Sequence, residues 1–240
     1  MLAAARDRAA AGAPEKSSFL DAMVKATDEN GRAYSDDVIA SNLFTLLLAG
    51  EDTTANSMAW AIHLLANHPE WAGRIGAEAD NLLREAPAPA DLDAANALPV
   101  ASAVANEAMR LKPVGPVLLL EANFDTSIDD IEIPRGTIVA VLLRPAALAE
   151  DNFVEARAFR PQRWLEPPDG PHDLSAHLPF GSGPRMCPGR ALALIEMNTL
   201  LALLYKNFDV VRQGPAEDVR EAFGFVMAPM GLNVRLQPRL

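Results

Sequence analysis

The segment Phe180-Gly181-Ser182-Gly183-Pro184-Arg185-Met186-Cys187-Pro188-Gly189 holds the one cysteine of this 240-residue chain, in a turn with two early glycines that leads directly into a helical pattern. A thiol just ahead of a helix N-terminus feels the helix dipole and nearby amide donors. Both lower its pKa and stabilise the thiolate that binds a metal. Gly181 and Gly183 let the backbone turn close to a flat ligand, Phe180 can pack on it, and Arg185 can pair with a carboxylate it carries. A lone cysteine in a glycine-containing turn is ordinarily buried filler. That reading leaves the rest of the ten-residue pattern unexplained.

Outward from this segment the chain reads as helices with a little sheet. A helix is expected from about Gly189 to Tyr205, followed by strands at Phe208–Val211 and Leu232–Leu236. Upstream, seven prolines at 145, 161, 167, 168, 171, 179 and 184 make the stretch from Arg144 to Met186 irregular, with only short helical turns. From Val117 to Leu143, Ile131, Ile133, Ile138, Val139 and Val141 alternate with turns at Asp129–Asp130 and Arg135–Gly136, which predicts short antiparallel strands. A helix runs from about Pro99 to Lys112–Pro113, and another from Pro69 through Trp71, Ile75 and Leu83 to the Pro87 and Pro89 loop.

Ser35 is a good N-cap, Asp36 and Asp37 suit the positive end of a dipole, and no breaker follows until Asn67-His68-Pro69. The resulting helix, roughly 45 Å long at 1.5 Å per residue, is apolar on nearly every side around Leu43, Phe44, Leu46, Leu47 and Leu48, so it is expected to be a central column. Met1 to Gly12 reads as the end of a polar helix. The fold class is mainly α with minor β.

Composition narrows the function. The chain is 50% hydrophobic and 22% charged, with a net charge of −11 and a pI near 4.8. No Lys/Arg-rich run stands out, so nucleic acid is not an expected partner. One cysteine excludes an intramolecular disulfide and points to a reducing compartment. The N-terminus lacks the apolar stretch and cleavage site of a secretory signal. Val38 to Leu48 is too short to span a bilayer and runs into Glu51 and Asp52, so no membrane span is expected and the localisation reads as cytoplasmic. His63, His68, His172 and His177 show no metal-ligand spacing and read as ordinary polar or core residues.

A haem offers the flat face and the carboxylates that the Cys187 segment is built to meet. Here the sequence resembles the cytochromes P-450, whose ligand loop reads Phe-Gly-x-Gly-x-Arg-x-Cys-x-Gly, and every fixed position is matched. A second match is Ala49-Gly50-Glu51-Asp52-Thr53-Thr54, similar to the family's oxygen-activation segment. The third is Glu107-Ala108-Met109-Arg110, whose i, i+3 pair in the family joins an arginine from a later meander. Phe159-Arg160-Pro161-Gln162-Arg163-Trp164 supplies Arg163, with Gln162 where the family usually has Glu. Read alone, the second and third matches are ordinary helix packing and a surface ion pair.

The resemblance implies haem b (iron protoporphyrin IX) as cofactor, with Cys187 as the thiolate ligand of the iron. Ala49, Gly50, Thr53, Arg144, Pro179, Phe180, Gly181, Arg185 and Gly189 are implied around the macrocycle. It further implies Thr53 as hydrogen-bond donor to the activated oxygen and Asp52 as relay of protons from solvent, so that the O–O bond cleaves heterolytically. Arg144 enters as a propionate partner because Val117-Leu118-Leu119-Leu120 stands where the family often has a basic residue; a solvent-facing Arg144 is the equal alternative. Val114–Leu118 and Phe225–Met227 match positions where the family's chain dips toward substrate, and plain core is the other reading of each.

The activity implied is a soluble bacterial-type monooxygenase: dioxygen and a small hydrophobic substrate, with electrons from a ferredoxin or flavodoxin-type donor. The resemblance runs from about Ser18 to Arg239, and the family's long helical N-terminal portion has no counterpart. Residues 1–240 are therefore expected to be a single partial domain, the haem-binding C-terminal portion of the fold. A non-catalytic haem-binding remnant and a cofactor-free helical interaction domain stand as the other readings.

Overall fold

The computed structural model describes residues 2–11, 18–84, 86–166 and 170–239. They form two compact units, Met1–Asp52 and Thr53–Leu240.

The first unit holds α1 (Leu2–Ala10), α2 (Phe19–Lys25) and the first part of α3 (Asp36–Leu65). Ser18 caps α2 in a reciprocal box with Asp21: the Asp21 amide donates to Ser18 Oγ at 3.2 Å and the Ser18 amide to Asp21 Oδ2 at 2.9 Å. Ala5, Leu20, Val24 and Ile39 close a small core. Ser35 accepts from the Val38 amide at 3.4 Å, as its reading as the cap of α3 requires.

α3 is the long helix expected, but its apolar middle is not covered on every side. Phe44 and Leu47 are each 63% exposed. α1 and α2 are short, and only the Ile39 and Leu43 side of the helix joins the core of this unit. Farther along the same helix Met58, Trp60, Ala61 and Leu65 are buried.

The second unit continues with α4 (Pro69–Leu83), α5 (Leu92–Asn96) and α6 (Pro99–Leu111). Pro69 and Pro99 sit in the first turns of α4 and α6, where a missing N–H leaves no bond unmade. α5, capped by the Asp91 carboxylate, has no counterpart in the sequence reading. The strands β1 (Val117–Glu121) and β4 (Ile138–Leu142) pair antiparallel with Val117 opposite Leu142, and β2 (Thr126–Ile128) pairs with β3 (Ile131–Ile133). α7 (Leu143–Ala147) follows, and short 3-10 turns at Pro161–Trp164, Leu174–Ala176 and Gly183–Arg185 punctuate the proline-rich stretch; Pro167 and Pro168 lie outside the described residues.

α8 (Arg190–Asn207) then leads into β5 (Phe208–Arg212), which pairs with β8 (Val234–Pro238). Between them β6 (Arg220–Phe223) and β7 (Met227–Met230) form a hairpin not read from sequence. Mainly α with minor β is the class observed. Among the described residues no helix is long and apolar enough to cross a membrane.

The core of this unit lies where α4, α6 and α8 meet, around Ile75, Leu98, Val104, Met197 and Leu201. At Gly76 α4 comes close to its neighbours: a Cβ built there would stand 2.6 Å from Arg239 Nη1 and 2.9 Å from the Tyr205 carbonyl oxygen. A backbone oxygen cannot swing aside, so Gly76→Ala is expected to destabilise the chain by about 1–3 kcal/mol through overpacking. A urea titration of the two proteins measures it, and equal midpoints would show that α4 and α8 separate freely.

Candidate functional site

Leu178, Pro179 and Phe180 lead into the cysteine turn. The Gly181 amide donates to the Leu178 carbonyl at 3.0 Å and the Cys187 amide to the Phe180 carbonyl at 2.9 Å, which closes the loop on itself. Gly181 and Gly183 have φ of +70° and +67°, the left-handed region that side chains avoid, so both turns need glycine. Phe180 packs on the core at the foot of the loop, and a Cβ on Gly181 would contact Leu118 of β1. Cys187 is a half-buried free thiol. Its carbonyl accepts from the Arg190 amide in the first turn of α8, and its Sγ lies 3.8 Å from where a Gly189 Cβ would stand. Arg185 is exposed and makes no ion pair among the described residues.

The meander before the loop is fastened to α6 by one carboxylate. Glu107 is fully buried and accepts from Arg110 Nε and Nη2 at 2.9 Å each, Arg163 Nε at 3.2 Å, Trp164 Nε1 at 3.0 Å and the Arg160 amide at 2.8 Å. Arg110 also donates to the carbonyls of Ala147, Ala156 and Ala158, and Arg163 to that of Val154. Burial pushes the Glu107 carboxyl up, but the hydrogen bonds and charges of Arg110 and Arg163 outweigh it and hold the pKa below the ordinary value. The structure thus brings together the Glu107–Arg110 pair and Arg163. Trp164, the next residue in the same quoted stretch, is a fourth member that the sequence reading did not single out.

Ala49, Gly50 and Asp52 are exposed on α3, and a Cβ on Gly50 would meet nothing within 4 Å. Thr53 is half-buried, and its carbonyl accepts from Ser57 Oγ at 2.8 Å. Arg144, at the start of α7, is engaged: its Nη1 and Nη2 donate to Glu221 at 2.8 and 2.7 Å, while its buried Nε finds no partner among the described residues. Glu221 lies 77 positions away, and no local pattern announces it. His172 and His177 both lie against the Trp164 ring, and burial pushes the His177 imidazole down to about 4.

These features fit a flat cofactor held by a single sulfur. Among the described residues no three of His, Cys, Asp and Glu converge, and Cys187 is the single sulfur ligand on offer from cysteine. Gly183 has open space where a Cβ would stand, the uncommitted Arg185 offers a charge for a carboxylate, and Leu119, Met186, Leu192 and Phe225 expose apolar side chains.

Comparison with known proteins agrees. The Cytochrome P450 family model matches residues 3–236. Cytochrome P450 714C3 of Oryza sativa subsp. japonica is 35% identical over 194 residues, which is 80% of this chain and 38% of that protein. The human mitochondrial 25-hydroxyvitamin D-1 alpha hydroxylase is 35% identical over 192 residues, again 80% of this chain and 38% of its own. Among solved structures, a cytochrome P450 (CYP102L1) superposes with a TM-score of 0.85 and 28% identity, covering 100% of this chain and 56% of that one. The cytochrome P450DA heme domain matches as well, with the same score and identity. The chain therefore spans about half or less of the length of these proteins.

Removing the charge of Glu107 while keeping its shape, as Glu107→Gln does, leaves Arg110 and Arg163 buried and uncompensated. The expected cost is about 3–5 kcal/mol, read as a fall in the urea midpoint. A depressed carboxylate pKa contributes stability that is present above the unfolded value near 4.5 and lost as pH falls through the lower folded value. The acid limb of the stability curve should flatten in the variant. An unchanged midpoint and limb would show that the network holds nothing.

Proposed function

Because the chain belongs to the cytochrome P450 family, we propose that it binds haem b through Cys187 and serves as a haem-thiolate monooxygenase. It inserts one oxygen atom from dioxygen into a small hydrophobic molecule. We read residues 1–240 as the haem-binding C-terminal portion of the family fold. The observation that carries this reading is the closed loop Phe180–Cys187, whose two left-handed glycines turn the chain under a half-buried thiol at the foot of α8.

When bound, the haem supplies the oxygen activation and the atom transfer. The chain supplies the surroundings. Cys187 Sγ donates electron density as a thiolate, with Gly189 keeping the space beside it clear. Phe180, Pro179 and Gly181 would hold the macrocycle from the cysteine loop, and Arg185 would neutralise one of its carboxylates. Arg144 is a second propionate partner, provided it exchanges Glu221 for that carboxylate. On α3, Ala49 and Gly50 keep the helix surface low. Thr53 Oγ1 holds a proton toward the oxygen site and the exposed Asp52 carboxylate passes protons to it from solvent. Electrons come from a separate donor of the ferredoxin or flavodoxin type, in the cytoplasm, a setting that suits a chain with one free thiol.

A second reading, a haem-binding chain without catalysis, draws on the exposure of Leu119 and Phe225, apolar side chains left open to water. Reduced protein under carbon monoxide separates the alternatives: a far red-shifted Soret band supports the thiolate enzyme, a histidine-like band the remnant, and no haem band at all a cofactor-free domain. In Cys187→Ser that red-shifted band is expected to vanish, because a neutral hydroxyl cannot replace the soft anionic donor. Its survival would remove Cys187 from the metal.

Thr53→Ala is expected to leave the carbon monoxide band in place and to release electrons as hydrogen peroxide, since the positioned proton is gone. The readout is product formed per reduced nicotinamide consumed, with a ferredoxin and its reductase supplying electrons. Wild-type coupling in the variant would make Thr53 a packing residue.

A further inference from the structure

β1 reads Val117-Leu118-Leu119-Leu120-Glu121 and is paired along one edge alone: among the described residues its sheet has two strands, β1 and β4. The two ends of the ladder fix which way its backbone groups point. Just before the strand the Pro116 carbonyl accepts from the Leu143 amide at 2.9 Å, and just after it the Ala122 amide donates to the Thr137 carbonyl at 3.0 Å. An antiparallel ladder repeats such bonds at every second residue, so Leu118 and Leu120 turn their amides and carbonyls toward β4. Val117, Leu119 and Glu121 turn theirs the other way, where no described residue takes them.

The side chains leave the same strand open. Leu119 is 71% exposed, and on the same face of the ribbon Ile138 and Leu142 are 60% and 58% exposed, while Leu118 lies beside Gly181 on the other face. Edge strands are ordinarily blunted by lysine, proline or a bulge. β1 has no lysine or proline, and its one charge is Glu121 at the end. The free edge also matches a reversed copy of itself. Antiparallel pairing about a two-fold axis at Leu119 sets Leu119 opposite Leu119 and Val117 opposite Glu121, so that every outward amide meets an outward carbonyl. The two Glu121 carboxylates then fall at opposite ends, roughly 13 Å apart at about 3.4 Å per residue, beyond the screening length of about 8 Å at physiological salt. The outer edge of β4 offers a poorer axis, because its central residue is Ala140, which has almost no side chain to pack across the pair.

We propose that the free edge of β1 is the interface of a two-fold dimer of this chain, formed by antiparallel pairing of β1 with its copy about Leu119. A strand of another protein would meet the same backbone groups. What favours the copy is the match of side chains, Leu119 on Leu119 and, on the other face, Leu118 on Leu120. Each copy gives its one β1 edge to the other, so the contact is isologous and closes at two. A five-residue strand pairing is a small interface, below about 1,200 Å² in total, of the kind that associates weakly and reversibly. The dimer follows from strand geometry and does not depend on the haem-thiolate reading.

Sedimentation velocity of the full 240-residue chain across the micromolar range is expected to show a monomer–dimer equilibrium. Leu119→Lys places two ammonium groups at the axis and removes the apolar pair, and is expected to weaken the dimer by about tenfold or more. Leu119→Pro deletes an outward amide but no bond to β4, and is expected to act in the same direction. Leu119→Cys sets two thiols across the axis with Cα atoms about 5.5 Å apart, within disulfide reach. Oxidised glutathione is therefore expected to join Leu119→Cys into a covalent dimer, while Ala140→Cys and the parent chain, whose one cysteine is Cys187, run as monomers on a non-reducing gel. The far-ultraviolet circular dichroism of each variant, compared with the parent, separates a lost interface from a lost fold. If Leu119→Lys does not fold, the cross-link still decides. A parent chain that stays monomeric across the micromolar range overturns the proposal. So does a dimer that folded Leu119→Lys leaves intact, or one that Ala140→Cys cross-links and Leu119→Cys does not, since each puts another strand or another surface at the contact.

Discussion

The buried carboxylate of Glu107 is the constraint on which the second unit depends. It stands on α6 with no exposure, and every polar group around it comes from α6 or from the proline-rich meander. The meander has little regular structure of its own, so its carbonyls at Ala147, Val154, Ala156 and Ala158 would lack partners if Arg110 and Arg163 did not reach them. One acid thus supports two guanidinium groups, and these satisfy a backbone that forms no ladder. The cysteine loop follows directly in the chain. Its foot at Phe180 rests on the core that α6 and α8 share.

The second ion cluster has a different weight. Glu221 is about one-third exposed and its cations, Arg144 and Lys112, are partly exposed, so solvent screens the Coulomb attraction and the contribution to folding is small. What such a pair can do is choose between nearby positions of the otherwise marginal β6–β7 hairpin. Stability resides at the buried acid, and local placement at the partly exposed one. The same contrast separates Trp164, whose indole N–H is consumed by Glu107, from Trp60, whose indole N–H holds the hairpin.

Much of this was legible in the residues. Caps and prolines marked α3, α4 and α6 to within a few positions because the chemistry of a helix end is local. The left-handed turns at Gly181 and Gly183 could be anticipated, since each permits a backbone that other residues resist. Glu107 and Arg110 share a helix face by spacing alone, and Arg163 stood in a quoted stretch. α5 went unread because it is a single turn capped by Asp91 within a polar run. The β6–β7 hairpin went unread because Arg220-Glu221-Ala222-Phe223 carries neither a sustained alternation nor a strong turn dipeptide.

By itself the sequence determined the long helices α3, α4, α6 and α8, the mainly α class, the thiol loop and the residue types a haem would need. All of these follow from interactions between neighbours a few positions apart. Tertiary structure alone decided which apolar residues are covered, so that Ile39 is buried and Phe44, five residues on, is not. It also decided the partner of Arg144, left open between solvent and a propionate and found on Glu221. A long side chain's partner depends on what folding brings within a few ångströms, and 77 intervening residues carry no local trace of that.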